Sequence, residues 1–145
     1  MGATTARTKI LVYSDDSTVR AAILSALGTR VSMDLPEHDI SEFATADALR
    51  AVIDASKSGS AADLIILDAE AVPEGGMGVS RQLKDEVFQC PPILLITARP
   101  DDVWLAAWSR ADATVLGPID PFTFANAVAE LLRIPSAANA HGATH

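Results

Sequence analysis

The chain has 145 residues, 49% hydrophobic and 21% charged, a composition that suits one globular domain with a single core. Nineteen acidic against eleven basic residues leave a net charge of −8; with no basic cluster, direct contact with nucleic acid or an anionic membrane surface is excluded. Cys90 is the only cysteine, so no intramolecular disulfide can form, and it reads as a small buried hydrophobe of a reducing compartment.

No apolar stretch approaches the roughly 18 residues that cross a bilayer, and residues 1–8 lack the hydrophobic middle of a signal peptide, which points to the cytoplasm. Residues 1–8 and 134–145 carry few large apolar side chains and are expected to be flexible tails, with His141 and His145 in solvent. The domain between them, 9–133, alternates strand and helix signals.

Residues 9–14 form an aliphatic run too short for a helix, hence a first strand. Asp16 or Ser17 can cap a helix to about Leu27, with Val19, Ala22, Ile23, Ala26 and Leu27 on one stripe and Gly28 as its stop. A loop through Pro36 leads to a short second strand at 40–44. Thr45 caps a helix bearing Leu49, Val52 and Ile53, which ends in the turn residues 57–60.

The third strand, 63–68, closes on Asp68. After it, Pro73, Gly75, Gly76 and Gly78 mark a flexible turn before a helix at 79–88. Pro91 and Pro92 precede the fourth strand, 93–97. A helix over about 100–111 follows, with Pro100 suited to its first turn and Asp101 and Asp102 to its positive end. Residues 113–116 are the fifth strand. Asp120-Pro121 caps a last helix whose stripe is Phe122, Ala125, Val128, Ala129 and Leu132.

Such alternation demands a parallel sheet covered by helices on both faces through right-handed crossovers. In that architecture ligands bind outside the carboxyl ends of the strands. Ser14, Asp15 and Asp16 follow the first strand there, Asp68 ends the third and Thr97 the fourth.

With strand-end Asp68, the Thr97-Ala98 pair and Pro118 in this order, 9–133 resembles the receiver domain of two-component response regulators, CheY-like in pattern. The resemblance implies a flavodoxin-like, doubly wound (βα)5 fold of α/β class, with sheet order 2-1-3-4-5. It implies that Asp68 is the phosphoacceptor, and that Mg²⁺ is held by Asp15, Asp68 and the Glu70 backbone carbonyl, with Asp16 as a further ligand from the loop. Thr97 would hydrogen-bond a phosphoryl oxygen. A carboxylate attacks a dianionic phosphoryl group poorly unless a cation offsets the repulsion, and hard Mg²⁺ prefers oxygen ligands.

Three positions depart from the family pattern. An ungapped alignment through 17–20 puts neutral Ser14 where one metal-proximal acid is usual. Gly117 replaces the lysine that pairs with the phosphoryl group, and Thr114 replaces the aromatic residue that reports phosphorylation. Arg99 could offer a substitute guanidinium. Trp104 and Trp108, four apart on the fourth helix, read either as a partner-binding face or as core.

The expectation is an atypical, stand-alone response regulator. It would act by contact with a histidine kinase, another regulatory protein or a second copy of itself, rather than as an enzyme. A second reading is a phosphorylation-independent pseudo-receiver that works as a binding module. A third is a small Mg²⁺-dependent phosphohydrolase, for which Glu70 has the spacing of a second acid but no basic motif follows.

Overall fold

The structure, a computed structural model, describes residues 7–56, 62–99 and 103–134. Ten elements alternate: β1 (Thr8–Tyr13), α1 (Ser17–Leu27), β2 (His38–Phe43), α2 (Ala46–Ala55), β3 (Leu64–Asp68), α3 (Gly76–Glu86), β4 (Ile93–Thr97), α4 (Val103–Trp108), β5 (Ala113–Leu116) and α5 (Pro121–Arg133). The strands form one sheet in the order β2-β1-β3-β4-β5, and every pairing is parallel.

Side chains alternate across a strand, so each aliphatic run feeds two cores. Ile10, Val12, Leu64, Ile66, Leu94 and Ile96 pack on one face against Ile23 and Leu27 of α1 and Phe124, Val128 and Leu131 of α5. Leu11, Tyr13, Ile65, Leu67, Ile93 and Leu95 pack on the other against Leu49 and Ile53 of α2 and Val79 and Leu83 of α3. Because both faces are covered, β3 and β4 are buried along their whole length.

Local capping agrees with the sequence. Asp16 accepts from the Thr18 amide at the start of α1, Thr45 from Ala48 at α2, and Asp120 from Thr123 at α5, where Pro121 opens the helix. Gly28 stops α1 at φ 54°, a left-handed conformation that suits glycine.

Several expectations need correction. Arg7 and Thr8 belong to the fold: Thr8 pairs with His38 in the β1–β2 ladder, and Arg7 bridges Glu37 and Asp39. β2 therefore starts two residues early, its first side chain tied by a hydrogen bond between His38 Nε2 and the Gly28 carbonyl at 2.7 Å. Phe122 and Val52 are not core; Phe122 is 82% exposed, and Phe124 fills the α5 position instead. Residues 1–6 and 135–145 of the predicted tails, with His141 and His145, lie outside the described residues, as do Pro100, Asp101, Asp102 and the turn at 57–60. No helix among the described residues is long and apolar enough to cross a membrane.

The largest correction concerns Gly75 and Gly76. Far from a flexible turn, they are the cap and first residue of α3, which begins three residues before the expected position. The reason is steric: a Cβ on Gly76 would lie 2.7 Å from the Asp68 carbonyl oxygen, and one on Gly75 would lie 2.8 Å from that of Ala69. Only glycine lets α3 start directly against the end of β3.

Candidate functional site

β1 and β3 are neighbours, with Tyr13 in register with Leu67, so the residues that follow each strand meet at the carboxyl edge. Ser14 is fully buried and its hydroxyl donates to Asp68 Oδ2 at 2.7 Å. The Glu70 amide donates to Asp68 Oδ1 at 2.8 Å. Asp68 itself is 6% exposed. A carboxylate this deep needs hydrogen bonds or a cation to offset its lost hydration, and here each oxygen receives a neutral donor.

Asp15 follows Ser14 on the surface and accepts from the Val72 amide at 3.1 Å. Asp16 is committed to capping α1, accepting from Thr18 at 2.8 Å, while its own amide donates to Ser14 Oγ at 3.1 Å. The Arg20 guanidinium donates to the Ser14 carbonyl at 2.6 Å and to Glu42 at 3.1 Å, which fixes the turn out of β1 from behind.

The loop from β3 to α3 is held by residues the sequence did not single out. Tyr13, wholly buried, donates its hydroxyl to the Glu74 carbonyl. The Glu74 carboxylate receives both terminal nitrogens of Arg50, whose Nε donates to Gln82 at 2.8 Å. The Arg50 hydrogen bonds hold the Glu74 carboxyl below its ordinary range, and burial raises the Tyr13 phenol. A tyrosine ending an aliphatic strand was the one available signal; Arg50 lies 24 residues from Glu74 and gives none.

On the opposite side, Thr97 ends β4, 7% exposed, and its carbonyl accepts from the Gly117 amide at 2.7 Å. Thr114 is exposed on β5. Between the two sides opens a cleft of about 570 Å³ whose lining includes Asp15, Asp16, Asp68, Glu70, Thr97 and Gly117. Arg99 is exposed and is not part of that lining, so the substitute guanidinium does not stand in the cleft. The Glu70 side chain also faces solvent.

The oxygen donors suit a hard cation: Asp15 and Asp68 share one cleft, and among the described residues no cationic side chain is bonded to buried Asp68. Among the described residues no three His, Cys, Asp or Glu side chains gather as a metal-binding group. A metal here would depend on two carboxylates, a backbone carbonyl and water.

Away from the cleft, Trp104 is 70% and Trp108 46% exposed on α4, so neither is core. The Arg81 guanidinium covers the Trp108 ring at 5.5 Å and donates to its carbonyl at 3.0 Å. Cys90 is a free thiol, partly covered, its pKa pushed up to about 11 by burial.

No family model matches the chain. Solved structures share the fold: the CheY-like receiver domain protein of Methanospirillum hungatei superposes with a TM-score of 0.68 at 17% identity, over 88% of this chain and 94% of that one. The chemotaxis response regulator CheY4 of Vibrio cholerae gives a TM-score of 0.70 at 17% identity, over 87% and 99%. The sequence relationship is much closer to the uncharacterized response regulatory proteins of two Mycobacterium tuberculosis strains, each 49% identical over 128 residues, which span 88% of this chain and 93% of theirs. On that likeness, and with a fold that agrees, the chain belongs to the response regulator family as a receiver domain.

Proposed function

We propose that the protein accepts a phosphoryl group on Asp68 with Mg²⁺ and signals by protein contact, as a regulatory component of a two-component phosphorelay in the cytoplasm. The observation that carries this reading is the Asp68 carboxylate, buried at the cleft edge between the Ser14 hydroxyl and the Glu70 amide, with Asp15 lining the same cleft. An Asp68 oxygen would attack phosphorus, the bond from phosphorus to the donor's leaving group would break, and the leaving group would depart with that electron pair. The product is an acyl phosphate on Asp68.

When bound by Asp15, Asp68 and the Glu70 carbonyl, Mg²⁺ supplies the charge that offsets repulsion between carboxylate and phosphoryl oxygens. Ser14 and the Glu70 amide hold the carboxyl group in one orientation, and Thr97 has a hydroxyl donor for a phosphoryl oxygen at the far side. Exposed Trp104 and Trp108 on α4 supply aromatic area for a partner such as a histidine kinase or another regulator.

Gly117 and Thr114 favour a second reading, a pseudo-receiver that binds partners without phosphorylation, because the phosphoryl-pairing lysine and the aromatic reporter of the family pattern are both missing. Intact mass separates the two. Incubation with acetyl phosphate or phosphoramidate and Mg²⁺ should add the mass of one phosphoryl group to the wild type and none to Asp68→Asn. No gain in the wild type, with partner pull-down retained in both proteins, would sink the phosphoryl reading in favour of the binding module.

A further inference from the structure

The cleft is larger and more apolar than an acid pocket for a hydrated cation requires. Beyond the carboxylates its wall is made by Val19 and Ala22 of α1 and by Ile96, Pro118 and Ile119 at the β4 and β5 ends. Its volume of about 570 Å³ falls in the range of small-molecule sites. Gly117 is part of that lining. A Cβ built there would meet Ile96 Cγ2 at 3.4 Å and the Thr97 carbonyl at 3.6 Å, ordinary contact distances that leave room for a side chain at this position.

The charge along the cleft has one sign. Asp15, Asp16, Asp68 and Glu70 line it, and among the described residues no Lys, Arg or His does. Low-dielectric walls focus the field of such a cluster and raise the local concentration of cations. A divalent ion would use the carboxylate end alone and leave the aliphatic wall without an occupant.

We propose that this cleft binds a small organic cation, an ammonium on a ring or short alkyl body, with the charge at Asp15 and Asp68 and the body against Val19, Ala22 and Ile119. The site goes beyond phosphoryl transfer and does not depend on it, but its ligand would compete with Mg²⁺ for the shared carboxylates.

The probe is benzylammonium, with benzyl alcohol as its neutral counterpart, titrated into the ¹⁵N-labelled full chain without divalent cation. Saturable amide shifts are expected at Val19, Ala22 and Ile119. The ammonium should bind about tenfold more tightly than the alcohol, the equivalent of about 1.4 kcal/mol, as a charge-assisted hydrogen bond to carboxylate requires. Gly117→Leu, which fills the cleft from β5, should abolish the shifts. Ala22→Leu does the same from the exposed side of α1 and serves if the glycine variant fails to fold. The proposal is overturned by an absence of saturable shifts, by equal affinity for the alcohol, or by undiminished binding in the filled variants. Phosphoryl labelling of Asp68 on the same sample keeps the two questions apart: binding without labelling removes only the signalling chemistry, and labelling without binding removes only the cation site.

Discussion

The β1–β3 half of the cleft holds Asp68 between a hydroxyl and an amide and ties Asp15 to Val72, whereas the β4–β5 half contributes Ile96, Thr97, Ala98, Gly117, Pro118 and Ile119 to the lining and no charge. Ser14 on the first side and Gly117 on the second are both neutral. What remains is an acid pair steadied by neutral donors on one side and open apolar space on the other. The comparison teaches that two neutral donors orient Asp68, and that among the described residues no cationic side chain is bonded to it.

The first half is rigid only if α3 starts against β3, and Gly76 tests that most severely. Gly76→Ala puts a Cβ 2.7 Å from backbone oxygen, and neither partner is a flexible side chain. The expected cost is about 2–3 kcal/mol, read as a lower urea midpoint at constant slope. Gly78→Ala is the matched control, since a Cβ there meets nothing within 4 Å, and helix propensity should make it stabilising by about 0.5–1 kcal/mol. If both variants moved in the same direction, propensity rather than close approach would govern the loop.

Ser14→Ala comes next. It removes the donor to Asp68 Oδ2 and the acceptor of the Asp16 amide, in a fully buried place. A hydrogen bond to a charged group is worth about 1.5–3 kcal/mol, so a loss of about 2 kcal/mol is expected in urea unfolding. Ser14→Asp sharpens the contrast: two buried carboxylates repel in the metal-free protein, and millimolar Mg²⁺ should recover the lost stability by binding only the folded state. Failure of Mg²⁺ to recover it would mean that the two acids do not face one cation.

Much of this was legible in the sequence because it rests on local chemistry. Four aliphatic residues followed by Asp68 specify a buried strand with an acid at its end, and the Asp120-Pro121 pair specifies a helix start wherever it occurs. The Ser14–Asp68 hydrogen bond was not legible: the expected sheet order sets β1 beside β3, but which side chains 54 residues apart bond across the two strand ends depends on their orientation there. The start of α3 was misread for a related reason: three glycines within four residues argue against a helix by propensity, and the nearness of the Ala69 and Asp68 carbonyls makes two of them, Gly75 and Gly76, necessary. The tryptophans show a third limit, because a spacing of four places two side chains on one face without saying whether that face meets protein or solvent.

Tyr13→Phe probes the loop from inside the core. The ring stays and packs as before, but the Glu74 carbonyl loses its donor. The expected cost is about 1 kcal/mol, with faster amide exchange confined to the loop between β3 and α3. A change spread evenly over the sheet would mean that the phenol supports the core rather than the loop.

The smallest effect belongs to the outer tie of the same loop, the ion pair of Arg50 with Glu74. The pair is partly exposed, and such contacts are worth less than about 1 kcal/mol. Arg50 lowers the Glu74 pKa in the folded protein relative to the unfolded chain, so the sign follows from linkage. The stabilisation is complete above the unfolded glutamate value near 4.3 and fades as pH falls through the lower folded value. The amide shift of Glu74 should therefore titrate in that acid window and lose the response in Glu74→Gln, while that of Gly117 is the same in both proteins. Were Gly117 to titrate with Glu74, the two halves would be coupled through the cleft.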